Sequence, residues 1–173
     1  MMTANAVLAR WNSVDQDAAE TEVLPCCSSR RWARELAQAR PFSDETELFQ
    51  SADAIWLRLT QFDWDEAFRS HPRIGERKTA ETATRQSAAW SRQEQSGVDA
   101  TDAGIRAALE HGNRVYEERF GRVFLICANE KSAAEMLKAL ERRLQNDEQT
   151  ELREAVEQQR QITQLRLRKW LNA

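Results

Sequence analysis

Apolar residues in this chain return every three or four positions and almost nowhere every second position. Leu48, Phe49, Ala52, Ile55, Trp56 and Leu59 form one such stripe. Ile105, Ala108, Leu109, Val115, Tyr116 and Phe120 form another, and Leu152, Val156, Ile162, Leu165 and Trp170 a third. That spacing predicts amphipathic helices. Residues at the ends of the stripes divide them. Val7 to Trp11 predicts a short first helix. Ser13 opens a second through Glu22, with Gln16 as a capping-box partner, and Leu24-Pro25-Cys26-Cys27 breaks it. Ser28 or Ser29 caps a helix bearing Trp32, Leu36 and Ala39; Arg40-Pro41-Phe42 ends it, and Ser43 begins the Leu48 helix. Asp63 starts a short helix that stops at His71-Pro72, because proline pushes the preceding residue out of the α region. A polar helix from Thr79 to Glu94, with Trp90 its one large apolar residue, ends at Gly97. Thr101 or Asp102 caps the next helix and Gly121 stops it. Ser132 caps a helix with Met136, Leu137, Leu140 and Leu144, and a final helix runs from about Asp147 to Trp170.

One stretch fits no helix. Val123-Phe124-Leu125-Ile126-Cys127 is continuous, apolar and short, bounded by Gly121 and Asn129, and predicts a buried extended segment. The expected architecture is all-α: a compact single-domain bundle of about seven to nine helices over residues 1–173. Six tryptophans supply packing area in it.

Composition supports this reading and narrows the function. Glycine and proline number only 5 and 3 in 173 residues, as a helical chain requires. The net charge is −3 with both signs interleaved, so no strong field is aimed at nucleic acid or an anionic membrane. No apolar run is long enough to span a bilayer. The N-terminus does not read as a secretion signal, nor Leu171-Asn172-Ala173 as a peroxisomal address. Cys26, Cys27 and Cys127 are odd in number and two are adjacent, which argues against a disulfide framework and for a reducing, cytoplasmic setting. No C-x-x-C or H-x-x-x-H pair offers a metal site, and His111 lies within a helical stretch; neither metal nor cofactor is expected.

Four features carry candidate chemistry. His71, one of two histidines, is projected from a helix terminus, and imidazole exchanges protons near neutral pH; the bland alternative is a helix stop with a partly buried ring. Ser91 and Glu94 share a helix face with Gln95 in reach, a donor and acceptor set suited to a small ligand rich in amides, or simply a solvated helix end. Arg166 falls with Ile162 and Trp170 on the apolar ridge of the last helix, so its guanidinium needs a partner, either a structural carboxylate or a substrate anion. The extended segment Phe124 to Ala128 exposes backbone groups that a neighbouring loop or a heterocycle bearing amides would satisfy.

Five motifs run in order along the chain: Arg40-Pro41-Phe42, His71-Pro72-x-Ile74-Gly75, Ser91-x-x-Glu94-Gln95-x-Gly97, Arg119-Phe120-Gly121 leading into Phe124-Leu125-Ile126, and Leu165-Arg166-Leu167. In these the chain resembles the 2-oxo-4-hydroxy-4-carboxy-5-ureidoimidazoline (OHCU) decarboxylases, cofactor-independent enzymes of urate degradation. The resemblance implies an all-α fold and decarboxylation of OHCU to (S)-allantoin, with His71 catalytic and Glu94 and Arg166 as the other polar active-site residues. It implies substrate binding by Pro72, by Ser91, Arg92, Gln93, Glu94 and Gln95, and by Phe124, Leu125, Ile126, Cys127 and Ala128. It also suggests a homodimer. Arg122-Val123 stands where the family usually has Phe-Pro, which bears on how the following loop meets a ligand. From its length the chain is expected to be the family type not fused to a hydroxyisourate hydrolase. Loss of CO2 needs an electron sink; the sequence shows no cofactor motif, and OHCU carries its own sink, a ring C=N beside the carboxylate-bearing carbon. The competing readings are a non-catalytic helical interaction domain, a binding or sensor domain for a ureido or imidazoline ligand, and a relative that keeps the pocket but processes another ureido or imidazoline compound.

Overall fold

The computed structural model describes residues 5–76, 80, 82–99 and 102–173. Among them are ten helices and no strand. They are α1 (Ala6–Ser13), α2 (Gln16–Cys27), α3 (Arg30–Gln38), α4 (Glu45–Arg58), α5 (Gln61–Phe68), α6 (Arg85–Glu94), α7 (Ser96–Asp99), α8 (Ala103–Phe120), α9 (Ala133–Arg143) and α10 (Glu148–Leu171). The all-α expectation holds, and the helix beyond the expected range is the four-residue α7. The chain divides into two compact units, residues 1–67 with 160–173, and residues 68–159.

In the first unit the tryptophans are packing residues whose polar edge is answered. Buried Trp11 stacks on Phe42 at 6.1 Å, meets Trp170 edge-on at 5.4 Å, and donates its indole N–H to the Ala19 carbonyl at 3.1 Å. Trp32 donates to the Ala52 carbonyl at 3.0 Å. An indole left without an acceptor in such a core would carry an uncompensated desolvation cost. Arg40 ties the same corner together. It donates to the carbonyls of Ala37 (2.8 Å), Val14 (2.9 Å) and Trp11, and its guanidinium lies 5.1 Å from the Trp11 ring centroid. The Arg40-Pro41-Phe42 motif, with a cis bond between its first two residues, is therefore a structural clasp at the end of α1.

The second unit is built on a cluster of Ile74, Val98, Leu109, Tyr116, Phe120, Phe124, Ile126, Met136 and Leu140. At Gly112 a Cβ would stand 2.6 Å from Leu140 Cδ2, so the Leu140 side chain occupies the space that a larger residue there would need. Gly121 ends α8 at φ 65°, its N–H bonded to the Glu117 carbonyl at 2.8 Å, and turns the chain into the non-helical run over 123–128. That run is buried from Phe124 onward, as its apolar sequence predicts.

Several boundaries differ from expectation, each for a local reason. Proline does not break α2, which continues through Pro25 to Cys27. Pro25 forfeits the bond to the Thr21 carbonyl, worth about 3 kcal/mol with ring strain, and full burial of Val23, Cys26 and Cys27 offsets it. The cap of α2 is Asp15, because the Ser13 hydroxyl turns back to the Arg10 carbonyl at 2.6 Å. The cap of α4 is Asp44, while Ser43 is held by the Glu47 carboxylate at 2.7 Å. Asp63 lies in the first turn of α5, accepting from the Thr60 N–H at 3.1 Å. Thr84 caps α6, and Gln95 rather than Gly97 ends it, with Gly97 inside α7; Thr79, the expected start, lies outside the described residues. Ser29, Asp102 and Ser132 cap α3, α8 and α9, the last with a full capping box.

Two left-handed positions give a reciprocal test. Ser28 ends α2 at φ 66° and its hydroxyl, buried, has no partner among the described residues. Ser28→Gly is expected to raise stability by about 1 kcal/mol, and Gly121→Ala to lower it by about 1–2 kcal/mol, in urea unfolding followed by circular dichroism.

Candidate active site

His71 sits three residues beyond α5, its N–H bonded to the Phe68 carbonyl at 3.1 Å. The ring is 6 % exposed and its Nε2 is 2.7 Å from Oε1 of Gln159, itself 0 % exposed, on α10. An amide oxygen accepts, so this contact is one that an Nε2–H donates. The loop after it is fixed residue by residue. Arg73 makes a two-pronged pair with Glu117 of α8 at 2.5 and 2.8 Å and a second pair with Glu76 at 2.9 Å. These carboxylates, the Glu117 bond first, hold the Arg73 pKa above its ordinary value. The Ile74 carbonyl accepts from Asn113 Nδ2 at 3.0 Å, and the N–H of Gly75, at φ 84°, reaches Gln95 Oε1 at 3.3 Å.

The end of α6 divides as the sequence spacing requires. Ser91 is buried, Glu94 and Gln95 are half-buried, and Arg92 and Gln93 face solvent. Gln95 thus joins the His71 loop through its amide oxygen, while the exposed side chains of Arg92 and Gln93 stand apart from that contact.

Residues 124–128 find backbone partners among side chains, and the Ala128 carbonyl accepts from the Lys131 N–H at 3.1 Å. Arg143 Nη1 donates to the Leu125 carbonyl at 2.7 Å, the Cys127 N–H donates to Gln158 Oε1 at 2.9 Å, and Lys131 Nζ donates to the Cys127 carbonyl at 2.8 Å. Arg143 is 1 % exposed and pairs through Nε and Nη2 with the Glu151 carboxylate, which is 0 % exposed. Glu151 also accepts from the Tyr116 hydroxyl and, at 2.9 Å, from Asn146. Burial first, and then the adjoining carboxylate, push the Tyr116 hydroxyl well above the ordinary tyrosine pKa, so it remains a donor. The Arg143 guanidinium also covers the Phe124 ring at 4.7 Å. Arg122, in the place usual for Phe, anchors the start of this segment by an ion pair with Glu148 in the first turn of α10.

Arg166 is buried, as its place on the apolar ridge predicts, and Nη1 meets the Pro25 carbonyl at 3.4 Å. A carbonyl in the last turn of a helix has no partner within the helix and sits at the negative end of its dipole; sequence reasoning, which weighed a carboxylate or a substrate anion, missed this third kind of partner. Its charge also opposes the effect of burial on Cys26, whose thiol is nonetheless pushed well above its ordinary pKa. Sequence reasoning also missed Gln159 and Arg143. The one available signal for Gln159 was its spacing of seven from Arg166, which repeats a helix face.

All three cysteines are free and buried. Among the described residues no cluster of three or more His, Cys, Asp or Glu side chains is assembled to hold a metal ion, and no helix is long and apolar enough to cross a membrane.

Comparison with known proteins identifies the family of the chain. The family model described as OHCU decarboxylase matches residues 12–168. The bifunctional urate-degradation protein TTL of Arabidopsis thaliana is 34% identical over 151 residues, covering 87% of this chain and 46% of that protein, so the chain spans about half of its length. The OHCU decarboxylase of Amia calva is 33% identical over 148 residues, covering 84% of this chain and 80% of the relative. A crystal structure of an OHCU decarboxylase in the presence of (S)-allantoin superposes with a TM-score of 0.75 at 32% identity, covering 88% of this chain and 98% of that one. The chain belongs to the OHCU decarboxylase family. It is accordingly a carboxy-lyase, an OHCU decarboxylase of urate degradation.

The Arg143 pair generates a stability contrast. Arg143→Met strands a buried carboxylate and is expected to cost about 3–5 kcal/mol. Arg142→Met removes the neighbouring pair with Glu154, in which the arginine side chain is 60 % exposed, and is expected to cost no more than about 1 kcal/mol. Urea midpoints of the two variants make the comparison.

Proposed function

We propose that the protein carries OHCU to (S)-allantoin with His71 as the acid/base residue and Glu94 and Arg166 orienting the substrate and stabilising charge. The observation that carries this reading is the buried imidazole with one nitrogen engaged by Gln159, in a chain of this family. A ring shielded from bulk water and oriented by Gln159 is a fixed group for proton exchange.

The chemistry asks little else of the protein. As CO2 leaves, the electrons of the broken C–C bond pass to the adjoining C=N of the substrate ring. The enediamine-like product is protonated on one face to give a single enantiomer. His71 works at the carbon bearing hydroxyl and carboxylate, placing the leaving group and moving a proton. Glu94 holds the hydroxyl or ureido N–H groups, and Arg166 binds a ring or ureido oxygen where negative charge develops. A firm grip by Arg166 on the departing carboxylate would stabilise the ground state and oppose its loss. Pro72, Ser91, Gln95 and the backbone of Phe124, Leu125, Ile126, Cys127 and Ala128 fix the ring and the ureido arm. Arg92 and Gln93, with side chains in solvent, belong to this set only as the turn that carries Ser91 and Glu94. The same reading takes residues 1–173 as one functional domain that works as a homodimer in a reducing, cytoplasmic setting, which suits three cysteines outside any disulfide.

Freshly generated OHCU, followed optically with and without protein, tests the reading. His71→Asn is expected to fold normally and lose about 10²–10⁴-fold in turnover. Arg166→Lys is also expected to fail, because a point charge does not replace a planar fork. A His71→Asn variant that still forms one allantoin enantiomer at the wild-type rate removes His71 from the mechanism. Binding of allantoin with no turnover by the wild-type protein makes it a sensor.

A further inference from the structure

We propose that Gln159 is a positioning residue: its amide oxygen fixes His71 as the Nε2–H tautomer and makes Nδ1 the ring nitrogen that exchanges a proton with substrate. The catalytic half of this statement rests on the role given to His71 above; the tautomer stands on geometry alone.

The backbone of the His71 loop is already determined. Its N–H closes on Phe68, Pro72 narrows its backbone freedom, Arg73 is forked onto Glu117, and the Ile74 carbonyl is taken by Asn113. What remains is the rotation of the imidazole about its own axis and the choice of which nitrogen bears the proton. The contact of Nε2 with Gln159 Oε1 at 2.7 Å bears on both. Both partners are buried, so a ring turned to present the wrong nitrogen would leave an acceptor facing an acceptor without water to intervene.

A glutamine suits that task better than a carboxylate would. It orients the ring without adding a counter-charge that would favour the imidazolium. The charged side chains on the same loop, Arg73 and Glu76, and Glu117 of α8, are tied to one another. Glu94 at the end of α6 is the further carboxylate that the mechanism employs. The neighbouring glutamine doubles the arrangement, because Gln158 accepts from the Cys127 N–H at 2.9 Å. Two consecutive residues of α10 therefore set the register of the catalytic ring and of the extended segment.

The presence of only two histidines makes the tautomer directly readable. Long-range ¹H–¹⁵N spectra of the ligand-free protein contain two ring patterns, and His111→Gln, at an exposed position of α8, assigns them. The expected result at neutral pH is a protonated Nε2 and a pyridine-like Nδ1 on His71; an Nδ1–H pattern overturns the proposal. In turnover, Gln159→Leu is expected to lower kcat about 10²-fold with KM changed no more than about threefold. Gln159→Glu, the same shape with a charge, is expected to move the acid limb of the kcat/KM profile up by about one pH unit. Wild-type kcat in Gln159→Leu, or an unmoved limb in Gln159→Glu, overturns it. Should Gln159→Leu fail to fold, the isosteric variant and the wild-type spectrum still decide. Full turnover by His71→Asn defeats the functional reading and the catalytic half with it, while the spectrum judges the tautomer independently.

Discussion

A guanidinium taken wholly out of water must have its N–H groups answered by the protein, and at Arg143 that requirement organises the second unit. Glu151 supplies the charge, and the Leu125 carbonyl takes an N–H that the carboxylate leaves over. The Phe124 ring receives its face. Tyr116 and Asn146 complete the carboxylate's own demands. The partners come from four elements: α8, the extended segment, the turn after α9 and the first turns of α10. An ion pair of this kind contributes little net stability against an apolar substitute, but it tolerates few alternative arrangements. Here it dictates where a backbone with no ladder partner must run.

That backbone matters because an extended segment without a neighbouring strand has no periodic partner for its N–H and C=O groups. The chain answers with individual side chains from α9, α10 and the turn that bears Lys131. Position along 124–128 is thereby fixed at Leu125 and Cys127. The His71 loop is treated the same way, with Arg73, Asn113 and Gln95 each holding one point of it. In both segments irregular backbone is made rigid by long polar side chains from helices.

The helices were legible in the sequence because their signals are local. Ser29, Asp102, Gly121 and Ser132 act within one turn of their own positions, and apolar spacing reports burial without reference to anything distant. The misreadings have the opposite character. Pro25 looked like a stop, but burial of the residues on either side of it outweighs the lost bond. Ser13 was a good cap in isolation and lost to Asp15. His71, Ser91 and Arg166 could be singled out because each is an oddity of local context. Gln159 could not: it stands with Gln149, Gln158, Gln161 and Gln164 on one helix, and five glutamines look alike until the packing shows which of them is enclosed. Arg143, adjacent to the similar but exposed Arg142, was hidden for the same reason.

Burial has one last effect on the paired thiols at the end of α2. Desolvation pushes Cys27 up to about 12 despite the hydrogen bonds of Thr163 and Ser29, and Cys26 higher still. Since the thiolate is the reactive species, alkylating reagents have almost nothing to attack while the first unit stays closed. Modification at these two sulfurs therefore clocks the opening of that unit: the protein carries an intrinsic gauge of its own breathing, read without any added dye or engineered tag.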